Sequence, residues 1–332
     1  MSHGDGGDGR TGWLDMTEQG SAAGAAALVA IATVLGRRPA RALVKLLTVY
    51  YALGNPAVRR ASRTYLERIH GRPASTASVY SHVLCFALCT LDRLFFVQGK
   101  VHLFDVESTG EEHLRKLIES RRGAILLGAH IGSFESMLRM ADARDMRINI
   151  VGYFRNARII NATLERLNPR ANARLIEVDP EGVDFVFRIR ELIEKGELVA
   201  FLGDRVAHDR GRSVMIDFIG SPARLPTGPF MLAAALKCPV YLIFGLQRGG
   251  HNRYERFCEP FAESIELPRK GRERALRDVV QRYANRLEHY CRLAPDNWFN
   301  FFDFWEDEAV PHDARGQERA TQQAAAVEEG AG

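Results

Sequence analysis

The chain has 332 residues, of which 46% are hydrophobic and 26% charged. That balance can bury a sizeable core and excludes wholly disordered and collagen-like classes. Its 45 basic and 41 acidic residues leave a formal charge of +4, too even for a dedicated nucleic-acid binder. Only six of the basic residues are Lys. GC-rich coding produces such an Arg bias, and the planar guanidinium also suits carboxylates and phosphates. The five cysteines, Cys85, Cys89, Cys238, Cys258 and Cys291, are odd in number and lack paired metal spacing. They argue against a disulfide framework and for a reducing compartment, and no metal site or cofactor is expected.

Residues 1–12 are Gly, Asp and polar residues without the charged-then-apolar order of a secretion signal, and disorder is expected there. A small, apolar run over 22–35 would span about 21 Å as a helix, short of the roughly 30 Å hydrocarbon core. A second run, 42–53, is interrupted by Lys45. Two readings stay open. The pair is an interfacial hairpin with Arg37, Arg38, Arg41, Arg59 and Arg60 facing anionic headgroups, or two helices packed on the core. The helical pattern continues to about Phe96, with breaks near 36–39, 54–56 and 71–73.

From about residue 123 short β-rich runs alternate with helical stretches. Strands are predicted at 124–128, 147–154, 175–178, 198–202, 214–219, 240–245 and 254–258. Helices are predicted at 133–143, 158–167, 183–195, 227–236 and 270–292. Such alternation predicts an α/β domain with a single central mixed sheet flanked by helices, preceded by an N-terminal helical arm. The expected organisation is a disordered 1–12, a membrane-associating arm over 13–100, a catalytic domain over 101–306, and a disordered tail over 307–332.

The segment Leu126-Leu127-Gly128-Ala129-His130-Ile131-Gly132-Ser133-Phe134-Glu135 carries the chemistry. A buried strand runs into small residues, then His130, then a helix with Ser133 as N-cap. His130 thereby falls at the carboxyl end of a strand, where open α/β sheets place ligands. Glu135, in the first helical turn, is near enough in sequence to hold the imidazole and make His130 a general base. A His followed five residues on by an acid also occurs at His3/Asp8 and His102/Glu107, and roughly one such match is expected by chance. Only the third has a strand-to-helix context.

The stretch resembles the histidine-x4-acid motif of the lysophospholipid acyltransferase superfamily, in its late lipid A acyltransferase branch. The resemblance extends over roughly residues 120–305. It takes in Val151-Gly152-Tyr153-Phe154-Arg155-Asn156, Phe201-Leu202-Gly203-Asp204-Arg205, Leu225-Pro226-Thr227-Gly228-Pro229, Cys238-Pro239-Val240 and the ending Pro295-Asp296-Asn297-Trp298. The short, Ala-rich arm departs from that branch, and so do the aromatics and acids after Trp298. In both the chain is more similar to predicted acyltransferases of lipid or aryl polyene pathways.

The resemblance implies transfer of a fatty acyl group from a thioester on acyl carrier protein or CoA to a hydroxyl or amine of a membrane lipid or glycolipid. It implies a peripheral or monotopic enzyme on the cytoplasmic face of the bacterial inner membrane. His130 would deprotonate the acceptor and Glu135 would hold His130. Backbone N–H groups around Gly132 and Ser133 would serve the oxyanion. Arg205, oriented by Asp204, and Arg155 would bind a substrate anion or support the oxyanion. The aromatic ending from Phe299 to Trp305 is expected to form a core or lid cluster.

Rival classes are poorly served. No Gly-x-Ser-x-Gly elbow is present for a serine hydrolase. Neither a P-loop nor a dinucleotide glycine fingerprint occurs. The alternative from another class is a non-catalytic membrane-surface scaffold that recruits acyl carrier protein.

Overall fold

The protein is described by a computed structural model covering residues 22–137, 148–152, 173–177, 184–206, 212–248, 250 and 252–305. Four helices come first: α1 (Ala22–Val34), α2 (Arg37–Gly54), α3 (Pro56–His70) and α4 (Thr76–Val97). The breaks between them follow local chemistry. Asn55 accepts a hydrogen bond from Val58 N at 3.1 Å and Pro56 opens α3 with its fixed φ, as an N-cap and N1 residue should. Gly71, at φ 65°, ends α3, and Ser75 caps α4 through Ser78 N.

Nine strands follow among the described residues: β1 (Asp105–Thr109), β2 (Ala124–Gly128), β3 (Ile148–Gly152), β4 (Ala173–Glu177), β5 (Leu198–Leu202), β6 (Ser213–Phe218), β7 (Ser221–Pro226), β8 (Val240–Gln247) and β9 (Arg253–Ala262). The helices among them are α5 (Glu111–Ser120), α6 (Asp184–Glu194), α7 (Gly228–Leu236) and α8 (Arg272–Leu293). Seven strands make one sheet in the order β1-β9-β8-β2-β5-β3-β4. Only the β8–β9 pairing is antiparallel, so the sheet is mixed, as expected. β6 and β7 form a separate hairpin.

The central strands are buried on both faces, which is why they are continuous apolar runs rather than alternating ones. In β2, Ile125 and Leu127 enter the largest core cluster, while Ala124 and Leu126 enter a second cluster on the opposite face. β8 divides the same way, with Val240, Leu242, Phe244 and Leu246 against Tyr241 and Ile243. α8 completes the larger cluster with Val280, Tyr283, Ala284, Leu287 and Tyr290, a stripe at helical spacing.

The arm is partly core. Tyr65, Leu66 and Ile69 of α3 and Val79 of α4 lie in the largest cluster. Among the described residues α4 alone is long and apolar enough to cross a membrane, yet eleven of its residues are buried inside the fold. α1 and α2 are different, with Val34, Leu35, Leu46, Leu47, Val49, Tyr50 and Leu53 exposed.

Three elements escaped the sequence reading: β1, α5 and β7. β1 and β7 alternate or interrupt their apolar residues, and Pro222 and Pro226 argue against a strand at β7 until its edge position is known. The predicted helix at 158–167, the part of the 133–143 helix beyond 137, and both tails lie outside the described residues.

Candidate active site

β2 and β5 run parallel with Gly128 opposite Leu202. His130 and Asp204 each lie two residues past that pair, so the register alone brings them side by side at the carboxyl ends of adjacent strands. Asp204 Oδ1 lies 2.7 Å from His130 Nδ1. The carboxylate also accepts the His130 backbone N–H at 3.1 Å, the Trp298 indole N–H at 3.0 Å and the Asn300 amide at 3.1 Å. Asp204 is fully buried. Burial alone would raise its carboxyl, but His130, Arg205 and the backbone donor outweigh that and hold it well below the usual carboxylate range.

An ionised Asp204 can only accept, so the proton between them belongs to His130 Nδ1. Nε2 then carries the lone pair, and among the described residues it has no hydrogen-bond partner. The imidazole keeps 28% of its surface exposed. Burial, with the charge of Arg205 against the opposing pull of Asp204, pushes the ring below its ordinary value, so it is neutral at neutral pH.

The turn that carries His130 is braced from three sides. Ile131 bridges Trp298, and Gly132 bridges Gly245 of β8. Gly132 has φ 58°, and a Cβ there would sit 1.9 Å from the Gly245 carbonyl oxygen, so only glycine fits. Gly132 N donates to Asn297 O at 2.8 Å, Ser133 N to Gly245 O at 2.7 Å, and Phe299 N to His130 O at 2.8 Å. Ser133 Oγ accepts from Ser136 N at 3.2 Å, the N-cap expected of it. Those bonds correct one expectation. The N–H groups of Gly132 and Ser133 are taken by carbonyls and are not available to an oxyanion.

Glu135 also differs from the sequence reading. Its carboxylate accepts from Arg93 Nε of α4 at 2.6 Å and makes no hydrogen bond to His130. The imidazole already has its carboxylate in Asp204, a residue 74 positions away. Asp204 was expected to orient Arg205; Arg205 donates to Asn300 Oδ1 at 2.5 Å and to Phe299 O at 2.7 Å, and Asn300 in turn donates to Asp204. Burial pulls its guanidinium down to about 10, against the opposing charge of Asp204. Arg155 lies outside the described residues.

Trp298, Asn300 and Arg93 are the participants that sequence reasoning missed. Trp298 was read as the end of the Pro-x-x-Trp resemblance, and it packs against Tyr65, Phe218 and Phe304 at 5.0, 5.2 and 4.7 Å between ring centroids. Its indole N–H is the polar handle that reaches Asp204. Behind it, fully buried His82 meets Trp298 O through Nε2 and Ser62 Oγ through Nδ1, both at 2.8 Å. The carbonyl can only accept, so Nε2 carries the proton and Nδ1 accepts the Ser62 hydroxyl. Burial pushes His82 down to about 4.

A positioned, partly exposed neutral imidazole, backed by an ionised carboxylate, can take a proton from a weakly acidic nucleophile. No group of three or more metal-ligating side chains occurs among the described residues. The sequence model of the bacterial lipid A biosynthesis acyltransferases matches residues 15–306. The chain belongs to that family. Comparison of the sequence with curated proteins gives no match. Membership in this acyltransferase family makes the chain an enzyme that moves an acyl group to a lipid acceptor, work done at the inner membrane.

Proposed function

We propose that the enzyme transfers a fatty acyl group from a thioester, carried on acyl carrier protein or CoA, to a hydroxyl or amine of a lipid or glycolipid. His130 is the general base. The observation that carries this reading is the 2.7 Å contact of His130 Nδ1 with Asp204, which leaves the Nε2 lone pair as the ring's acceptor. Nε2 takes the acceptor proton as the acceptor oxygen or nitrogen attacks the thioester carbonyl. The tetrahedral oxyanion then collapses, the carbon–sulfur bond breaks, and the imidazolium returns its proton to the departing thiolate. Asp204 orients the ring and offsets the charge that it gains. Among the described residues Arg205 and Arg93 are cations whose charge acts on His130, and that field also favours the developing oxyanion. Glu135 positions Arg93.

Its place of action in this reading is the cytoplasmic face of the inner membrane, with α1 and α2 lying in the interface. The exposed apolar side chains of those helices support it. The test incubates the protein with radiolabelled acyl thioester, on carrier protein or CoA, and detergent-dispersed membrane lipid. His130→Ala is expected to cut transfer by about 10²–10⁴-fold while the unfolding midpoint stays put. Wild-type turnover by a folded His130→Ala protein overturns the assignment.

A further inference from the structure

The catalytic turn is completed by residues 297–300, a segment far away in sequence whose alignment decides which groups meet. Asn297 O accepts from Gly132 N at 2.8 Å, and the Trp298 indole reaches Asp204 at 3.0 Å. Phe299 N donates to His130 O at 2.8 Å, while Phe299 O accepts from Arg205 at 2.7 Å. Asn300 joins Arg205 to Asp204. Successive residues of an extended chain are about 3.3 Å apart, so a slip of one residue would break these bonds together.

The start of the segment is anchored on β8. That strand runs on to Gln247, whereas its pairing with β2 stops at Leu242. Main-chain groups beyond that point still need partners. Gly245 O receives the Ser133 N–H at 2.7 Å. Gln247 N donates to Asn297 Oδ1 at 2.7 Å, and Asn297 Nδ2 donates to Gln247 O at 3.0 Å. The Asn297 amide thus stands where a neighbouring strand would put a peptide, with its oxygen and nitrogen each assigned by the group that it faces. Asn297 is buried, and its own N–H closes a turn onto Ala294 O at 3.0 Å. Its stem is a single methylene, so two bonds at the amide fix the main chain closely. Asp would lack the donor, and Gln would be longer by one carbon–carbon bond of about 1.5 Å.

We propose that Asn297 is a positioning residue for the transfer reaction. By docking on the end of β8 it sets the register of residues 297–300, and so the placement of the two side-chain donors from that segment that hold Asp204. It acts through Trp298 and Asn300 and touches no reacting atom. The role rests on the reading of His130 as the general base.

Two variants test it. Asn297→Gln keeps both amide groups on a longer stem, and Asn297→Ala removes them. Each should lower kcat for transfer from an acyl thioester about 100-fold with KM changed less than threefold, as expected for a misplacement of about 1 Å. Solvent exchange of the indole N–H groups, followed by NMR in protein carrying 15N-tryptophan, reads the displacement without any assay of transfer. The Trp298 signal, assigned by its loss in Trp298→Phe, should lose its exchange protection in both variants. The Trp305 indole, bonded to Phe218 O at 3.0 Å, should keep its protection. Should Asn297→Ala not fold, Asn297→Gln decides alone. Wild-type kcat in folded Asn297→Gln overturns the proposal. Protection lost at Trp298 and Trp305 together also overturns it, because the fold as a whole would then have loosened. Absence of transfer by the wild-type protein would strike the acyl-transfer reading instead, and the indole exchange would still decide whether Asn297 sets Trp298.

Discussion

The His130 turn and the α2 helix meet their surroundings in opposite ways. At the turn, the backbone groups of His130, Gly132 and Ser133 are engaged, a glycine stands where no side chain fits, and the carboxylate behind the ring has donors from four groups. On α2, the outward face leaves Leu46, Tyr50 and Leu53 from 63% to 80% exposed, and the cations of the helix line an open cavity. Proton transfer needs atoms held to a few tenths of an ångström, so the chain supplies all the partners of the turn itself. In the proposed interfacial placement the partner of α2 is a fluid lipid surface supplied from outside, which would account for a face left incomplete.

The largest expected effect breaks the first half of that comparison. Asp204→Asn keeps the shape but replaces an acceptor by a group that can also donate, so the ring can settle in the wrong tautomer. Turnover should fall about 10²–10⁴-fold. The pH profile gives a second readout. In the wild type the rate should rise with pH through a pKa below 6.5 and be flat by neutrality, because the folded ring lies below its ordinary value. Asp204 is the influence that raises the ring, so in Asp204→Asn the inflection should move further down. An unchanged profile would mean that Asp204 does not act through His130.

The second effect concerns stability. His82 sits at about 4 in the fold against 6.5 when free. Between those values the unfolded chain binds the proton and the folded chain does not. Stability is therefore complete above pH 6.5 and drains as pH falls towards 4, by about 3 kcal/mol in all. Urea midpoints measured at pH 7 and pH 4.5 should show it. His82→Gln should be weaker at pH 7 and should lose that part of the slope. A slope unaltered by the substitution would place the acid sensitivity elsewhere.

How much of this was legible in the sequence depends on the range of the interaction. β2, β5 and β8 are unbroken apolar runs, and the N-caps at Asn55, Ser75 and Ser133 lie beside the helices that they start, so local chemistry announces them. His130 and Asp204 were both visible as residues just past strands. Their partnership was not, because strand order decides it, and β2 lies next to β5 only after two intervening strands have been placed elsewhere. Proximity in sequence favoured Glu135, five residues from His130, and tertiary packing gave that carboxylate to Arg93 instead. Trp298 was visible as the end of a Pro-x-x-Trp motif but not as a donor to Asp204, and Asn300 was hidden within the aromatic run that follows.

A third substitution sharpens the role of that ending. Trp298→Phe keeps a ring against Tyr65 and Phe304 but removes the indole donor to Asp204. A hydrogen bond to a charged group contributes about 1.5–3 kcal/mol, so turnover should drop roughly 10–100-fold with little change in KM. Asn300→Ala removes the neighbouring donor and should behave alike, with an added loss because Arg205 loses its Nε partner. A loss confined to the unfolding midpoint would make both residues structural.

The smallest effect decides between the two carboxylates near His130. Glu135 is buried, its partner Arg93 is part-exposed, and the 2.6 Å bond joins α4 to the turn. Were Glu135 the partner of the imidazole, Glu135→Gln would move the pH profile and Arg93→Gln would not. With the bond as it stands, either substitution removes the same ion pair, so the two should cost similar factors, about tenfold or less. Neither should remove the tautomer control that Asp204 exerts. Because the Arg93 charge lowers the His130 pKa slightly, Arg93→Gln should nudge the inflection upward, and Glu135→Gln should leave it where it is. The double variant should cost little more than either single one, as expected of residues that act as a pair. Losses that multiply in the double variant, or a Glu135→Gln profile displaced like that of Asp204→Asn, would return Glu135 to the imidazole and leave Asp204 with the fold.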